Sequence, residues 1–253
     1  MKYLTHFLLF LLFPICTYGQ AKILEISKFA AESPANERSI YLDLGKETAA
    51  KVIFNGSFTG KRLVLQNASN KHVVFDCTIR TTDLEHAIII SGDVQNLILE
   101  STGKEMTGGI GVWGSTRKLS ISGFNIVAGK FGVHATAQKA HTGIQIYNNS
   151  FRNIQLEAIY WGYFQQITQK TQGISIIGNT FQNIGWDAIQ IGNALDAEIY
   201  DNKIDRAGLR NEFGQDYAIT INPGSRCFLY NNEILNTGNR VQCLESTMFE
   251  TRK

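Results

Sequence analysis

The chain lacks a strong excess of charge and lacks several motifs that would assign a function. Its 24 Lys and Arg residues nearly balance 22 Asp and Glu residues, which gives a formal net charge of +2. Bulk charge therefore implies neither nucleic acid nor an anionic membrane surface as a partner. The sequence contains no Walker loop, no His-Glu-x-x-His and no Cys-x-x-Cys, so P-loop nucleotide chemistry and structural zinc are not expected.

Cysteine and proline are also scarce, with 4 and 3 residues respectively. Three of the cysteines follow residue 20, namely Cys77, Cys227 and Cys243. An odd number does not make a disulfide framework. Cys227 occupies an inward strand position in the repeat described below, and we interpret it as a small core residue.

Only the start of the chain carries a long apolar run. Lys2 precedes apolar residues 7–15, which are followed by small and polar residues. This pattern predicts a secretory signal peptide over residues 1–19, and the run is too short for a retained membrane anchor. Cys16 leaves a lipoprotein signal as an alternative. The Gly19-Gln20 junction resembles signal peptides of Bacteroidota-type bacteria, so we expect a secreted bacterial protein that is periplasmic, extracellular or at the cell surface.

One short phrase recurs four times in the second half of the chain. Each copy has a central asparagine followed two residues later by Phe or Ile. The copies are IYNNSFRNI at 146–154, IIGNTFQNI at 176–184, IYDNKIDRA at 199–207 and LYNNEILNT at 229–237. The aligned asparagines are Asn149, Asn179, Asn202 and Asn232, at spacings of 30, 23 and 30 residues.

An Ala-Ile pair at Ala158, Ala188 and Ala218 supplies a second anchor that explains the uneven spacing. The steps from Asn to Ala are 9, 9 and 16 residues, and those from Ala to the next Asn are 21, 14 and 14. The basic unit is therefore 23 residues, with insertions near residues 163–170 and 209–215. Repeats of this length indicate a stacked architecture in which no single unit can bury its own apolar face.

The apolar residues within each unit alternate with period two, as in Ile174-Ser175-Ile176, which predicts strands rather than helices. Short strands ended by Asn or Gly predict an all-β parallel β-helix, because both residues tolerate left-handed backbone angles. We expect the asparagines to form a structural column. Phe151, Phe181, Ile204 and Ile234 are expected to form an inward column beneath it.

Residues 50–240 thus resemble the right-handed parallel β-helix proteins of the pectin-lyase-like superfamily, through the repeat alone. The resemblance implies an all-β, right-handed solenoid of about seven coils. We predict a signal peptide at 1–19, an N-terminal cap at 20–50 and the β-helix at 51–253. The cap would cover an exposed strand edge, and we expect the chain to be a fragment or truncated product at its C-terminus.

In a solenoid with a packed interior, a ligand binds along an outer face. The outward column His134, Tyr160, Gln190 and Thr220 is the most capable chemically. β-Elimination of a uronate polymer needs a base, an acid and a cation for the carboxylate, and His134 and Tyr160 suit the first two roles. An alternative is that His134 is an ordinary surface residue.

Further side chains complete this hypothesis. Gln190 and the aromatic Trp161 and Tyr163 are candidate sugar contacts, unless Trp161 points inward and the other aromatic residues pack the insertion. Lys170, Arg206 and Arg210 lie on or beside the insertions and could hold a carboxylate.

Glu157 and Asp187 occupy the same place before Ala158 and Ala188. Stacked in adjacent coils, they would raise one another's pKa or share a cation such as calcium, although no cofactor is required. They could also serve as the two carboxylates of an inverting glycoside hydrolase, or simply cap backbone amides at corners.

The sequence carries no catalytic signature of a β-helix family. The Asn-Thr-Asp and Asp-Asp patterns of polygalacturonases, the Asp-Pro-His-Asp of alginate epimerases and the arginine and calcium pattern of pectate lyases are absent. We predict a monomeric protein that acts on an extended, acidic polysaccharide by lyase-type β-elimination. A non-catalytic glycan-binding or adhesion module is the first alternative, and an inverting glycoside hydrolase is the second.

Overall fold

The structure is a computed structural model that describes residues 21–27, 39–60, 62–82, 84–135, 139–162, 169–210, 216–244 and 248–251. The predicted signal peptide 1–19, Tyr163 and most of the two insertions lie outside the described residues. Within the described part of the chain, no helix is long and apolar enough to cross a membrane.

Among the described residues, two parallel sheets account for almost all of the regular structure, and η1 (Leu44–Lys46) is a short 3-10 helix. The nine-stranded sheet consists of β2 (Ser39–Asp43), β4 (Arg62–Gln66), β6 (His86–Ser91), β9 (Gly109–Val112), β12 (Val133–Ala135), β15 (Ile159–Trp161), β18 (Ile189–Ile191), β22 (Tyr217–Ile221) and β25 (Asn239–Cys243).

The larger sheet has 17 strands and forms the other sides of the coil. Its strands are β1 (Lys22–Glu25), β3 (Lys51–Gly60), β5 (His72–Thr81), β7 (Val94–Ser101), β8 (Glu105–Thr107), β10 (Thr116–Ser122), β11 (Asn125–Ala128), β13 (His141–Tyr147), β14 (Ser150–Ile154), β16 (Thr171–Ile177), β17 (Thr180–Ile184), β19 (Ala194–Leu195), β20 (Ala197–Tyr200), β21 (Lys203–Asp205), β23 (Arg226–Tyr230), β24 (Glu233–Leu235) and β26 (Met248–Thr251).

Each coil contributes one strand to the nine-stranded sheet, so the described residues form nine coils rather than about seven. The additional coils come partly from the segment predicted as a cap. β1 pairs in parallel with β3, and β2 pairs in parallel with β4, so residues 22–25 and 39–43 continue the solenoid. The prediction of an all-β parallel β-helix is confirmed.

The interior is a continuous stack of apolar side chains from successive coils. Phe151, Phe181 and Ile204 are fully buried, while Ile234 is partly buried against the same core. The Phe151 and Phe181 rings stack with centroids 5.1 Å apart and planes within 10°. The predicted inward column is therefore confirmed.

The predicted asparagine column is a hydrogen-bonded ladder. Asn149 Nδ2 donates to Asn179 Oδ1 at 3.0 Å, Asn179 Nδ2 donates to Asn202 Oδ1 at 3.1 Å, and Asn202 Nδ2 donates to Asn232 Oδ1 at 3.0 Å. Each of these Oδ1 atoms also accepts from the backbone N–H of the preceding ladder residue. The ladder satisfies buried backbone groups at a corner that the sheet hydrogen bonds leave open.

The left-handed backbone falls one residue before each ladder asparagine rather than on it. The residues concerned are Asn148, Gly178, Asp201 and Asn231, with φ of 54°, 61°, 56° and 55°. Gly, Asn and Asp are the residues that adopt this conformation most readily. The Asn-Asn, Gly-Asn and Asp-Asn pairs of the repeat therefore have two roles. The first residue turns the chain, and the second bonds to the adjacent coil.

Candidate functional site

The predicted outer column lies on the nine-stranded sheet. His134 in β12 is opposite Tyr160 in β15, Tyr160 is opposite Gln190 in β18, and Gln190 is opposite Thr220 in β22. The register derived from the repeat is therefore confirmed. His134 and Tyr160 are half-buried, whereas Gln190 and Thr220 are buried although they lie on the outside of the strands.

His134 is the centre of a cluster of rings that we call the ring stack, formed by His86, Phe131, His134 and Tyr160. The His134 ring lies 4.5 Å from that of Phe131 and 5.4 Å from those of Tyr160 and His86, measured between centroids. The Tyr160 and His134 planes are within 8° of parallel. Neighbouring rings therefore occupy both faces of His134, which leaves the edges of its imidazole ring for polar contacts.

Gly111 makes this arrangement possible. It occupies the column position between Ile89 and His134, and a Cβ there would lie 2.8 Å from His86 Cδ2 and 3.0 Å from Trp113 Nε1. With no side chain at this place, His86 reaches across β9, and its Nε2 lies 3.3 Å from His134 Nδ1. Residues 109–114 match the spacing Gly-x-Gly-x-x-Gly, but they form a strand and its end, whereas the dinucleotide fingerprint joins a strand to a helix.

Burial lowers the pKa of His134, and Lys130 lowers it further against an opposing effect of Glu85. The imidazole of His134 is therefore neutral at neutral pH, with one nitrogen available as an acceptor. In the pair with His86, one imidazole donates an N–H and the other accepts it. When His134 donates through Nδ1, its Nε2 keeps the lone pair that a general base needs.

Two cationic residues that were not predicted from the sequence, Lys130 and Arg62, lie near the ring stack. Lys130 Nζ lies 5.7 Å from the Phe131 ring centroid and 3.4 Å from the Glu85 carboxylate. The Arg62 guanidinium lies 5.6 Å from the ring of Trp113, which is 40% exposed and packs edge-on against His86.

The cations chosen from the sequence occupy other places. Lys170 is half-buried and directly precedes β16, in the coil of Tyr160. Arg206 follows β21, is exposed and pairs with Asp205 at 3.6 Å. Arg210 is exposed, and its backbone N–H donates to Gly185 O at 2.8 Å. The two arginines share the coil of β22, three strands from His134, which is about 14 Å along the sheet.

Trp161 is a core residue, which corrects its prediction as a sugar contact and agrees with the inward alternative. Its side chain is fully buried, its Nε1 donates to Thr171 Oγ1 at 3.1 Å, and its ring packs edge-on against His141. Gln190, the other described member of the predicted sugar-contact group, is 2% exposed, so its side chain is not presented to a ligand in this structure.

Glu157 and Asp187 occupy equivalent corners of adjacent coils, where the Ala158 N–H donates to Asp187 O. They are 3% and 0% exposed. Burial raises the pKa of Glu157 to about 7, and Asp187 adds to the increase. Burial also raises the pKa of Asp187 to about 6, against the lowering effects of Thr220 and of the Tyr217 amide. Asp187 Oδ1 accepts a hydrogen bond from Tyr217 N at 2.9 Å. Asp187 therefore caps one backbone amide, in agreement with the alternative that these carboxylates cap amides at corners.

Comparison with known proteins adds little to these observations. No protein-family model matches the chain, and no curated protein matches it. Among solved structures, it is similar to the full-length tailspike protein 2 of an Escherichia coli O157:H7 bacteriophage, at 15% sequence identity and a TM-score of 0.36. The match covers 92% of this chain but 38% of the tailspike chain. At this TM-score it carries no functional inference, and the fold assignment rests on the two sheets.

Proposed function

We propose that this protein binds an extended, acidic polysaccharide on the outer face of the nine-stranded sheet and cleaves it by β-elimination, with His134 and Tyr160 as the proton-transfer groups. The observation that carries the proposal is their parallel stacking at 5.4 Å, with both side chains only half-buried on neighbouring strands. Such polymers are met outside the cytoplasm, in agreement with the predicted signal peptide.

The roles follow from the chemistry of uronate cleavage. A base removes the C5 proton, the bond from C4 to the leaving oxygen breaks, a C4–C5 double bond forms, and the leaving oxygen takes up a proton. His134, neutral because of its burial, is the base, and the Tyr160 hydroxyl is the acid. Lys130, whose Nζ lies 5.7 Å from the Phe131 ring centroid, would neutralise the sugar carboxylate and so stabilise the charge that develops at C5.

Inverting hydrolysis by Glu157 and Asp187 has less support. The carboxylates of inverting enzymes lie about 6.5–9.5 Å apart on either side of the scissile bond. Glu157 and Asp187 sit on adjacent coils, about 4.8 Å apart along the sheet, and both are buried. A glycosidic bond outside the sheet would therefore not lie between them.

A non-catalytic glycan-binding module is the second candidate, and Trp113 favours it. An exposed indole ring offers an apolar surface to a sugar, and the Arg62 guanidinium beside it suits a sugar carboxylate. Neither feature requires a reaction.

The test is incubation of the purified protein with alginate, pectate and glycosaminoglycans while the ultraviolet absorbance of unsaturated uronate is followed. We expect cleavage of one polymer, with rates lowered about 10²–10⁴-fold in His134→Ala and in Tyr160→Phe. Gln145→Ala is the matched control, because Gln145 is an exposed outward residue of the other sheet.

Full cleavage by the His134→Ala, Tyr160→Phe double variant would refute the assigned roles. Polymer binding without cleavage by the parent, with binding lost in Trp113→Ala, would identify the protein as a binding module instead.

A further inference from the structure

A buried polar cluster lies beside the ring stack, on the outer side of β15, β18 and β22. Four of its oxygen atoms have no hydrogen-bond partner among the described residues: Glu157 Oε2, Asp187 Oδ2, Gln190 Oε1 and Thr220 Oγ1. Their residues are 3%, 0%, 2% and 1% exposed. We call these four residues the oxygen cluster. Buried polar atoms are almost always satisfied in folded proteins, so four unsatisfied oxygens in three adjacent coils require an explanation.

The four residues of the oxygen cluster are neighbours in three successive coils. Glu157 and Asp187 hold equivalent corner positions, and the charge of Asp187 acts on Glu157. The Thr220 side chain acts on the Asp187 carboxylate as a weak hydrogen-bond donor and lowers its pKa, although the two side chains do not reach ordinary hydrogen-bond geometry. Gln190 follows Asp187 by three residues and is directly opposite Thr220 in the sheet. The four residues therefore bring carboxylate, amide and hydroxyl oxygens to neighbouring positions in three successive coils.

The local charge is negative and only partly balanced. Asp187 Oδ1 receives one backbone N–H from Tyr217, and Asp216 adds a third carboxylate nearby. Lys130 acts on Glu157, but its ammonium group is directed to Glu85. Burying two carboxylates costs several kcal/mol unless a proton or a cation compensates them.

We propose that the oxygen cluster binds a calcium ion that joins three successive coils. Calcium takes 6–8 oxygen ligands, including carboxylates, amide carbonyls and water, so four side-chain oxygens can supply part of its shell. No three His, Cys, Asp or Glu side chains surround one point among the described residues, which leaves the neutral oxygens of Gln190 and Thr220 to complement the two carboxylates. The ion neutralises both charges and holds β15, β18 and β22 together, next to Tyr160.

This proposal does not depend on polysaccharide cleavage, and its test uses no polymer. Thermal unfolding of EDTA-treated protein at neutral pH is measured with and without added calcium chloride. At a calcium concentration about a hundred times the dissociation constant, we expect the midpoint temperature to rise by roughly 5–10 °C. Titration calorimetry of the same protein should show one calcium ion per chain.

Glu157→Gln and Asp187→Asn should each remove the temperature shift. Thr220→Val, which keeps the shape of the side chain without its hydroxyl, should weaken calcium binding while the fold is retained. Glu105→Gln is the control, since Glu105 is an exposed carboxylate paired with Arg152 at 3.8 Å on the other sheet, and it should respond like the parent.

Two results would overturn the proposal. One is a parent protein that does not bind calcium and is stabilised by Glu157→Gln above neutral pH, which would mean that the carboxyl pair retains a proton instead. The other is an equal response to calcium in the parent and in both carboxylate variants, which would place the ion elsewhere.

Discussion

Asn179→Ala tests whether the asparagine ladder holds the coils together. Asn179 is 1% exposed. Its Nδ2 donates to Ile146 O at 2.9 Å and to Asn202 Oδ1 at 3.1 Å, and its Oδ1 accepts from both the backbone N and the Nδ2 of Asn149 at 3.0 Å. One side chain thus makes four hydrogen bonds to the coils on either side.

The size of the expected effect follows from what alanine leaves behind. The backbone N–H of Asn149 loses its acceptor in a buried place, which costs about 1–3 kcal/mol, and each of the other lost bonds contributes about 1 kcal/mol. Asn202 Oδ1 keeps the backbone N–H of residue 179 as a donor. We therefore expect Asn179→Ala to lower the free energy of unfolding by roughly 4–6 kcal/mol.

The free energy of unfolding is measured by urea denaturation followed by circular dichroism. If the dependence of this free energy on urea concentration has the same slope in the variant and the parent, a change in the midpoint reports a change in stability. Asn183→Gly is the control, because Asn183 makes one exposed bond to Asn153 and has a φ of 58° that glycine adopts without strain. It should stay within about 0.5 kcal/mol of the parent. Equal losses in Asn179→Ala and Asn183→Gly would refute a structural role for the ladder.

Two further predictions concern His134 and follow from the proposed lyase activity. Gly111→Val should push His86 away from His134 and lower the cleavage rate by roughly a hundredfold, while the circular dichroism spectrum stays unchanged. Gly238→Ala is the control and should leave the cleavage rate unchanged, because a Cβ at Gly238 meets nothing within 4 Å. Burial lowers the pKa of His134, so its imidazole stays unprotonated below the ordinary titration range of histidine. The acid limb of kcat/KM plotted against pH should therefore have its midpoint below about 6.5. A midpoint above this value would contradict His134 as the base.

The repeat was enough to predict the fold and the register of its middle coils. A period of 23 residues with alternating apolar positions fixes which residues of successive coils are neighbours, since a slip of one residue would turn every side chain to the wrong face. The pairing of His134, Tyr160, Gln190 and Thr220 follows from this rule. The N-terminal coils lack the repeated phrase, so β1 and β2 could not be recognised as parts of the solenoid.

The surroundings of the site were less predictable, because they depend on side chains that reach across strands. His86 belongs to β6 and meets His134 of β12 only because the intervening strand presents Gly111. A glycine in an outward column is a signal for such close approach. Gly111 is a signal of this kind in the sequence, and the side chains that approach it are those of His86 and Trp113. Trp161 was wrongly predicted as a sugar contact for a different reason. Strand alternation with Tyr160 already predicts that Trp161 points inward, but aromatic residues are common in sugar-binding sites, and this favoured an outward position.

The exposure of the outer column limits how a polymer can be bound. Val64 and Ile89 are buried on one side of His134, and Gln190 and Thr220 are buried on the other side of Tyr160. The partly exposed side chains on this part of the column are therefore confined to two neighbouring strands, about 5 Å apart. On the proposed function, a polysaccharide would therefore contact this part of the column through only one or two sugar units, at His134 and Tyr160. Trp113 and Arg62, which lie on the β6 side of His134, then give the direction in which the rest of the polymer would extend.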